Sequence, residues 1–282
     1  EIGGCSYRDL VAQFGTPLYV FDEVSLRQQC RRFVKEFGGR HADSLIIYAA
    51  KAYLNPALAQ LLAEEGLGLD VVAGGEMALA RAAGFPMDRV YFHGNNKSEE
   101  ELRLARRWGV GKVVMDNLYE MHLLASLGGR SRKRTQALLR LNPGIDPHTH
   151  AFTTTGVTDS KFGIPMATGQ AEAALAEAME TPSIEVVGLH VHLGSPIYEL
   201  EPYVEAVRRV MEFAALCRQK YGFQMREFSP GGGFAIQYTR DRPCPPVADY
   251  ANAIVTALHD GVKRAGLEMP RLILEPGRAI VG

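Results

Sequence analysis

Short apolar runs rich in Val, Ile and Leu recur along this chain, separated by segments whose apolar residues fall at i, i+3 and i+4 among Ala, Leu, Glu and Arg. The first pattern reads as buried strands and the second as amphipathic helices, so the order is β then α, repeatedly. The spacing predicts strands near 45–50, 68–73, 89–93, 111–116, 136–141, 185–191, 226–229 and 271–275. Helices are predicted over about 55–65, 74–83, 98–108, 118–127, 168–180, 201–221 and 246–265, with one more at 23–37 ahead of the first strand. Asn55-Pro56 and Asn117 read as helix starts, and proline is tolerated there because the first helical N–H has no intrahelical partner. This inventory fits a closed α/β barrel of the TIM type, (β/α)8, over 23–282, with an open doubly wound sheet as the competing topology. Residues 1–22 form a separate segment in which Tyr19-Val20-Phe21 reads as a strand that the barrel does not need, suited to a second domain.

The longest connection runs from about 143 to 167 and holds Thr153-Thr154-Thr155-Gly156 and Ser160-Lys161-Phe162-Gly163. Loops of that length in compact domains are functional or disordered.

Composition narrows the classes. The 282 residues are 46% hydrophobic and 22% charged, which excludes disordered, collagen-like and coiled-coil chains. Lys and Arg number 31 against 32 Asp and Glu, so no basic excess exists to hold nucleic acid. No apolar run approaches the roughly 18 residues of a membrane span, and no signal peptide is legible, which makes a soluble, cytoplasmic protein the expectation. Cys5, Cys30, Cys217 and Cys244 form no CxxC pair, so neither a zinc site nor a disulfide framework is indicated. The chain begins at Glu1 and stops at Gly282 directly after an apolar stretch, and the expectation is a piece trimmed from something longer.

A barrel of this kind carries its chemistry at the C-terminal ends of its strands, and there the unusual polar residues collect. The predicted strands end in Tyr48-Ala49-Ala50-Lys51, Leu69-Asp70, His93-Gly94-Asn95-Asn96, Arg140-Leu141-Asn142-Pro143, His190 to Ser195, Ser229 to Gly233, and Glu275-Pro276-Gly277-Arg278. Lys51 follows an apolar strand, where desolvation would leave a nucleophilic amine for an aldehyde; an exposed strand-end lysine is the plainer alternative. Gly231-Gly232-Gly233 lets backbone N–H groups approach a phosphate, or makes a flexible turn. Arg278 beside Gly277 can add a bidentate charge to the same anion. A buried Glu275 needs a cation or donor, either a protonated pyridine nitrogen or Arg140. His192 offers a face for a flat ring or is a core histidine, and Ser195 is a phosphate donor or a turn residue. A metal on His190 and His192 with Asp70 or Glu275 fails, because residues two apart on a strand are separated by about 7 Å and no ligand set is recognisable. His148 and His150 read as loop chemistry, and Gly74-Gly75-Glu76 lacks dinucleotide-site spacing.

Together these groups supply a lysine for an aldehyde, a carboxylate for a ring nitrogen, a flat side chain for stacking and a phosphate site, which are the needs of pyridoxal 5′-phosphate. The sequence resembles the fold-type III pyridoxal-phosphate decarboxylases and, within them, the diaminopimelate decarboxylase branch. The resemblance rests on Gly15 to Asp22, Tyr48 to Ala52, His93 to Ser98, Ser160 to Gly163, His190 to Ser195, Gly231 to Gly233 and Glu275 to Arg278. It implies that Lys51 carries the cofactor covalently through its amine, that Glu275 keeps the pyridine nitrogen protonated and that His192 stacks on the ring. It further implies that Ser195, Gly231, Gly232, Gly233, Gly277 and Arg278 surround the phosphate and the nearby substrate carboxylate, with Asp70 and Arg140 organising the lysine and ring. Glu76 and Asn142 are weaker matches, and Ala73 and Pro196 depart from the family pattern. The implied reaction is decarboxylation of meso-2,6-diaminopimelate to L-lysine and CO2, in a homodimer, with ornithine, arginine or carboxynorspermidine decarboxylation, or a silent binding homologue, as the alternatives. The family continues past Glu-Pro-Gly-Arg into a β-rich domain that supplies further active-site residues, so this stretch alone is expected to bind cofactor and to turn over poorly.

Overall fold

The computed structural model describes residues 1–128, 134–146 and 161–282. Helix α1, Tyr7–Phe14, buries none of its residues, and α2, Glu23–Gly38, begins the repeat with Asp22 capping its N-terminus. The barrel strands are β1 Ser44–Ala49, β2 Gly68–Val71, β3 Val90–Phe92, β4 Lys112–Met115 and β5 Thr135–Asn142. A two-residue strand, β6 Ile164–Pro165, adds to β5, and β7 Ile184–His190, β8 Glu227–Ser229 and β9 Arg271–Leu274 complete the set. Between them run α3 Pro56–Glu64, α4 Gly74–Ala82, α5 Glu99–Trp108, α6 Leu118–Ser126, α7 Gln170–Glu180, α8 Glu201–Tyr221 and α9 Val247–Ala265, with α10 Arg278–Val281 at the end. The starts expected at Asn55 and Asn117 are real caps: their side chains accept from Leu58 N and Glu120 N. Ser98 and Glu101 add a capping box on α5.

Every strand pairing is parallel, and the ring β1-β2-β3-β4-β5-β7-β8-β9 closes back on β1. The open-sheet alternative is thereby excluded. Residues 19–21 pair with no strand of the barrel, and Tyr19 is 92% exposed. A strand exists only where an edge offers hydrogen bonds, and no described residue pairs with them. The short α1 and β6 were not read from the sequence. The threonine run at 153–155 with Gly156, Asp159-Ser160, and His148 with His150 lie outside the described residues.

One large apolar cluster fills the space between strands and helices. A second, small one sits inside the barrel: Ile47, Tyr91, Val114, Leu138, Val187 and Ile273, from six strands. Side chains two residues apart on a strand share a face, so the next inward layer toward the C-terminal mouth is Ala49, His93, Asp116, Arg140 and Glu275. On β2 the outward residues are Leu69 and Val71, which leaves Asp70 inward. On β7 the register slips at Val187, a bulge that puts His190 inward and Leu189 in the outer core. The pleat therefore builds a polar layer directly on an apolar floor.

Candidate active site

Lys51 lies in the 3-10 turn Ala50–Ala52 that follows β1, with its Nζ 3.9 Å from Asp70 Oδ2. Its side chain is 53% exposed, so the expected desolvation by an apolar surround is corrected: what the fold gives this amine is an acid neighbour. Asp70 is fully buried and neither of its oxygens has a hydrogen-bond partner. Burial pushes its pKa up to about 7, against the pull of Lys51.

Glu275, directly after β9, accepts from Ser229 Oγ at 2.7 Å and from His190 Nε2 at 3.2 Å. Burial works to raise its pKa, but the dipoles of the neighbouring imidazoles and the hydrogen bonds from His190 and Ser229 outweigh it and hold the carboxyl well below the usual carboxylate range. Burial drives the pKa values of His93 and His190 down, so both imidazoles are neutral and His190 is a dipolar donor. His93 packs edge-on against His190, with ring centroids 5.0 Å apart.

The glycine triplet lies beside this acid. Gly231 and Gly233 have φ of +81° and +97°, which L side chains rarely adopt. A Cβ on Gly231 would stand 2.6 Å from the Val191 carbonyl oxygen, one on Gly232 would collide with the Glu275 carbonyl, and one on Gly233 with the Gly194 carbonyl. Gly232 N donates to His192 Nδ1 at 3.2 Å, which orients that ring, and Ile197 N donates to the Gly233 carbonyl at 2.8 Å. The second contact ties the Gly194-Ser195 corner to the triplet. Burial first, then Lys51, brings the His192 pKa down to about 3. Ala49 N donates to the Pro276 carbonyl, and a Cβ on Gly277 would press on Ala49 and Ala52, so Glu275 to Arg278 runs alongside the Lys51 turn. Arg278 is exposed and its guanidinium donates to the Tyr238 hydroxyl.

Arg140 is a correction to the sequence alternative that paired it with Glu275. It donates to Asp116 Oδ1 at 3.0 Å and lies over the Phe162 ring, 4.6 Å from its centroid. Asp116 follows the neighbouring strand β4 in the same inward layer, whereas β9 is not adjacent to β5. The other Asp116 oxygen accepts from Gly163 N, so the pair anchors the Phe162-Gly163 segment. Glu76 accepts from Val72 N, and Asn142 Oδ1 accepts from Gly144 N.

Sequence reasoning gave no role to His93, Asp116 or Ser229 and weighed His190 only as a metal ligand. Their signal was present: His93 and Asp116 each stand two positions after an inward apolar residue. His93, His190 and Glu275 offer ligand atoms within 4.8 Å of one another, a trio distinct from the one set aside above. Lys97 was also unassigned. It is buried and donates to the Gly94 and Val114 carbonyls and to Glu120, holding the loop that follows His93.

A family model for the pyridoxal-dependent decarboxylases, pyridoxal binding domain, matches residues 23–282. The chain belongs to this family. Diaminopimelate decarboxylase of Bacillus subtilis is 40% identical over 282 residues, all of this chain and 64% of that protein. Crystal structures of diaminopimelate decarboxylase with L-lysine from M. jannaschii and Helicobacter pylori superpose with TM-scores of 0.91 and 0.85, at 33% and 30% identity. They cover 99% and 98% of this chain, which covers 64% and 66% of theirs. The chain thus spans about two thirds of the length of these family members.

The family's cofactor, pyridoxal phosphate, fits the residues present. An amine, a buried anion and a side-chain-free cradle occupy one mouth, and the unpartnered Asp70 oxygens, His93 Nε2 and His190 Nδ1 cluster there. Gly232→Ala tests the cradle: its Cβ would meet backbone. The expected result is roughly 5- to 150-fold weaker pyridoxal phosphate binding in a spectroscopic titration, because overpacking against backbone costs roughly 1–3 kcal/mol. Unchanged affinity would exclude the cradle.

Proposed function

We propose that this chain is the cofactor-binding barrel of a decarboxylase that converts meso-2,6-diaminopimelate to L-lysine and CO2. The observation that carries the reading is the approach of Lys51, Asp70, Glu275 and the glycine triplet at one mouth, in a chain 40% identical throughout its length to a diaminopimelate decarboxylase. Residues 23–282 are the barrel and 1–22 a separate segment; the family match beginning at residue 23 and the absence of buried residues in α1 support that division. The exposed Phe14, Tyr19 and Phe21 suit docking against a further β-rich domain. A homodimer in the cytoplasm belongs to the same reading. Among the described residues no helix is long and apolar enough to cross a membrane.

When bound, the cofactor supplies an electron sink for the charge left behind as CO2 departs. Lys51 holds it through the amine, with Asp70 as the nearby proton acceptor. Glu275, kept anionic by His190 and Ser229, retains a proton on the ring nitrogen, and that fixed charge is what makes the sink effective. His192, turned by Gly232, presents its ring to the cofactor. Ser195, Gly231, Gly232, Gly233, Gly277 and Arg278 take the phosphate and the substrate carboxylate.

Measuring CO2 release by the product of the complete reading frame tests the substrate. With meso-diaminopimelate, L-ornithine, L-arginine and carboxynorspermidine in parallel, the expected result is a preference for diaminopimelate of roughly 100-fold or more, the scale set by a site built to pair a second polar head group. Equal or greater release from ornithine or arginine would reassign it. No release from any, with cofactor bound, would favour the silent homologue.

A further inference from the structure

Two buried acids face each other across one imidazole. His93 Nε2 lies 3.7 Å from Asp70 Oδ1 and 3.7 Å from Glu275 Oε1. Both distances are just beyond hydrogen-bond length, and Nε2 has no partner. Buried polar atoms left in this state are rare and call for an explanation. A small swing of the ring toward one acid makes a bond there and lengthens the other contact, so a single N–H serves one carboxylate at a time. The groups facing His93 are Asp70 on β2, Lys51 after β1, Arg140 on β5, His190 on β7 and Glu275 after β9.

Resting on the reading that Lys51 carries the cofactor, we propose that His93 is a positioning residue that couples the Lys51–Asp70 pair to Glu275 through this one shared N–H. With the N–H on Asp70, the acid is a carboxylate and Lys51 keeps its proton as an ammonium. With the N–H on Glu275, Asp70 loses its donor, and the proton passes from Lys51 Nζ to an Asp70 oxygen, leaving a neutral amine and a neutral acid. Net charge is the same in both arrangements and no other reactant takes part. The device links the state of the acid that holds the ring nitrogen to the readiness of the amine. This explains why a neutral histidine stands between two acids at equal distance from each.

The test reads Asp70 directly, by 13C NMR of the aspartate carboxyl in the cofactor-free 282-residue chain, with the resonance assigned by its loss in Asp70→Asn. His93→Leu removes the donor and is expected to raise the Asp70 titration midpoint by about one unit, since a hydrogen bond to the charged form favours it. His93→Gln, which keeps an N–H at the same reach, restores the wild-type midpoint. A packing role alone would leave His93→Gln displaced as far as His93→Leu, and that result, or an unmoved midpoint in His93→Leu, overturns the proposal. A second measurement needs no His93 variant: Asp70→Asn shifts the 15Nε2 resonance of His93, and a resonance that stays in place also overturns it. Cofactor attachment is scored separately from the Lys51-dependent absorbance band of the bound cofactor. Absence of that band with the Asp70 coupling intact sinks the functional reading and leaves the coupling standing; the reverse sinks the coupling alone.

Discussion

Lys51→Ala is expected to abolish the absorbance band that pyridoxal phosphate gives when attached to the chain and, in the product of the complete reading frame, to lower the proposed decarboxylation by roughly 10⁴-fold or more. The expectation follows from where the amine stands. The turn that carries it is fixed from both sides, by β1 before it and by the contact of Ala49 with Pro276. Its Nζ is 3.9 Å from an acid able to take its proton, and no other lysine among the described residues shares that position. Lys97 is buried and committed to Glu120 and two carbonyls, while Lys112 lies near Glu227 close to the start of β4, on the opposite mouth. The half-exposed side chain contributes little packing, so what the variant loses in stability is the pull of its charge on buried Asp70. Lys51→Arg keeps the charge but offers no comparable nucleophile, and it is expected to lose the band as completely. A band that survives both substitutions would move the covalent attachment to another residue.

The barrel was legible because its strands and helices have different hydrophobic periods and because eight repeats exhaust the pattern. The glycine triplet, Glu275 and Lys51 were legible as a group because a parallel barrel gathers all strand ends at one mouth. The inner layer was less so. A parallel strand buried on both faces reads as one apolar run, so Tyr91 and His93 or Val114 and Asp116 do not announce that they share the inward face. His190 was hidden for a further reason: the bulge at Val187 changes the phase of β7, and the alternation counted from Ile184 assigns it the wrong side. The alternative that paired Arg140 with Glu275 rested on charge alone, and the neighbouring Asp116 is its actual partner. For residues 19–21 β-propensity was real, but pairing is not a property of a segment by itself.

Asp70→Asn stabilises the cofactor-free chain at alkaline pH and much less at acid pH, because the wild-type acid is one the fold prefers neutral. Its pKa is 3.8 in an unhindered setting and about 7 in the folded chain, where burial dominates over Lys51. Between those values the folded chain holds a proton that the unfolded chain releases, so this group's contribution to stability falls as pH rises and reaches its full cost above about pH 7. From about pH 5.5 to about pH 8.5 the loss amounts to roughly 1.5 units at about 1.4 kcal/mol each, or about 2 kcal/mol. His41, His93, His190 and His192 act in the opposite sense. Burial depresses their pKa values, the unfolded chain binds the extra protons, and stability rises with pH up to the ordinary histidine range. The raw profile of the wild-type chain is therefore mixed, and the difference between it and Asp70→Asn isolates the acid. Guanidinium unfolding of both at the two pH values is expected to show the variant gaining about 2 kcal/mol more at the higher one. A difference that is the same at both, or larger at the lower, would mean that Asp70 is ionised throughout and that the site holds its anion without strain. The direction matters for function, since an acid kept at the expense of stability 3.9 Å from the Lys51 amine is placed to take a proton from it.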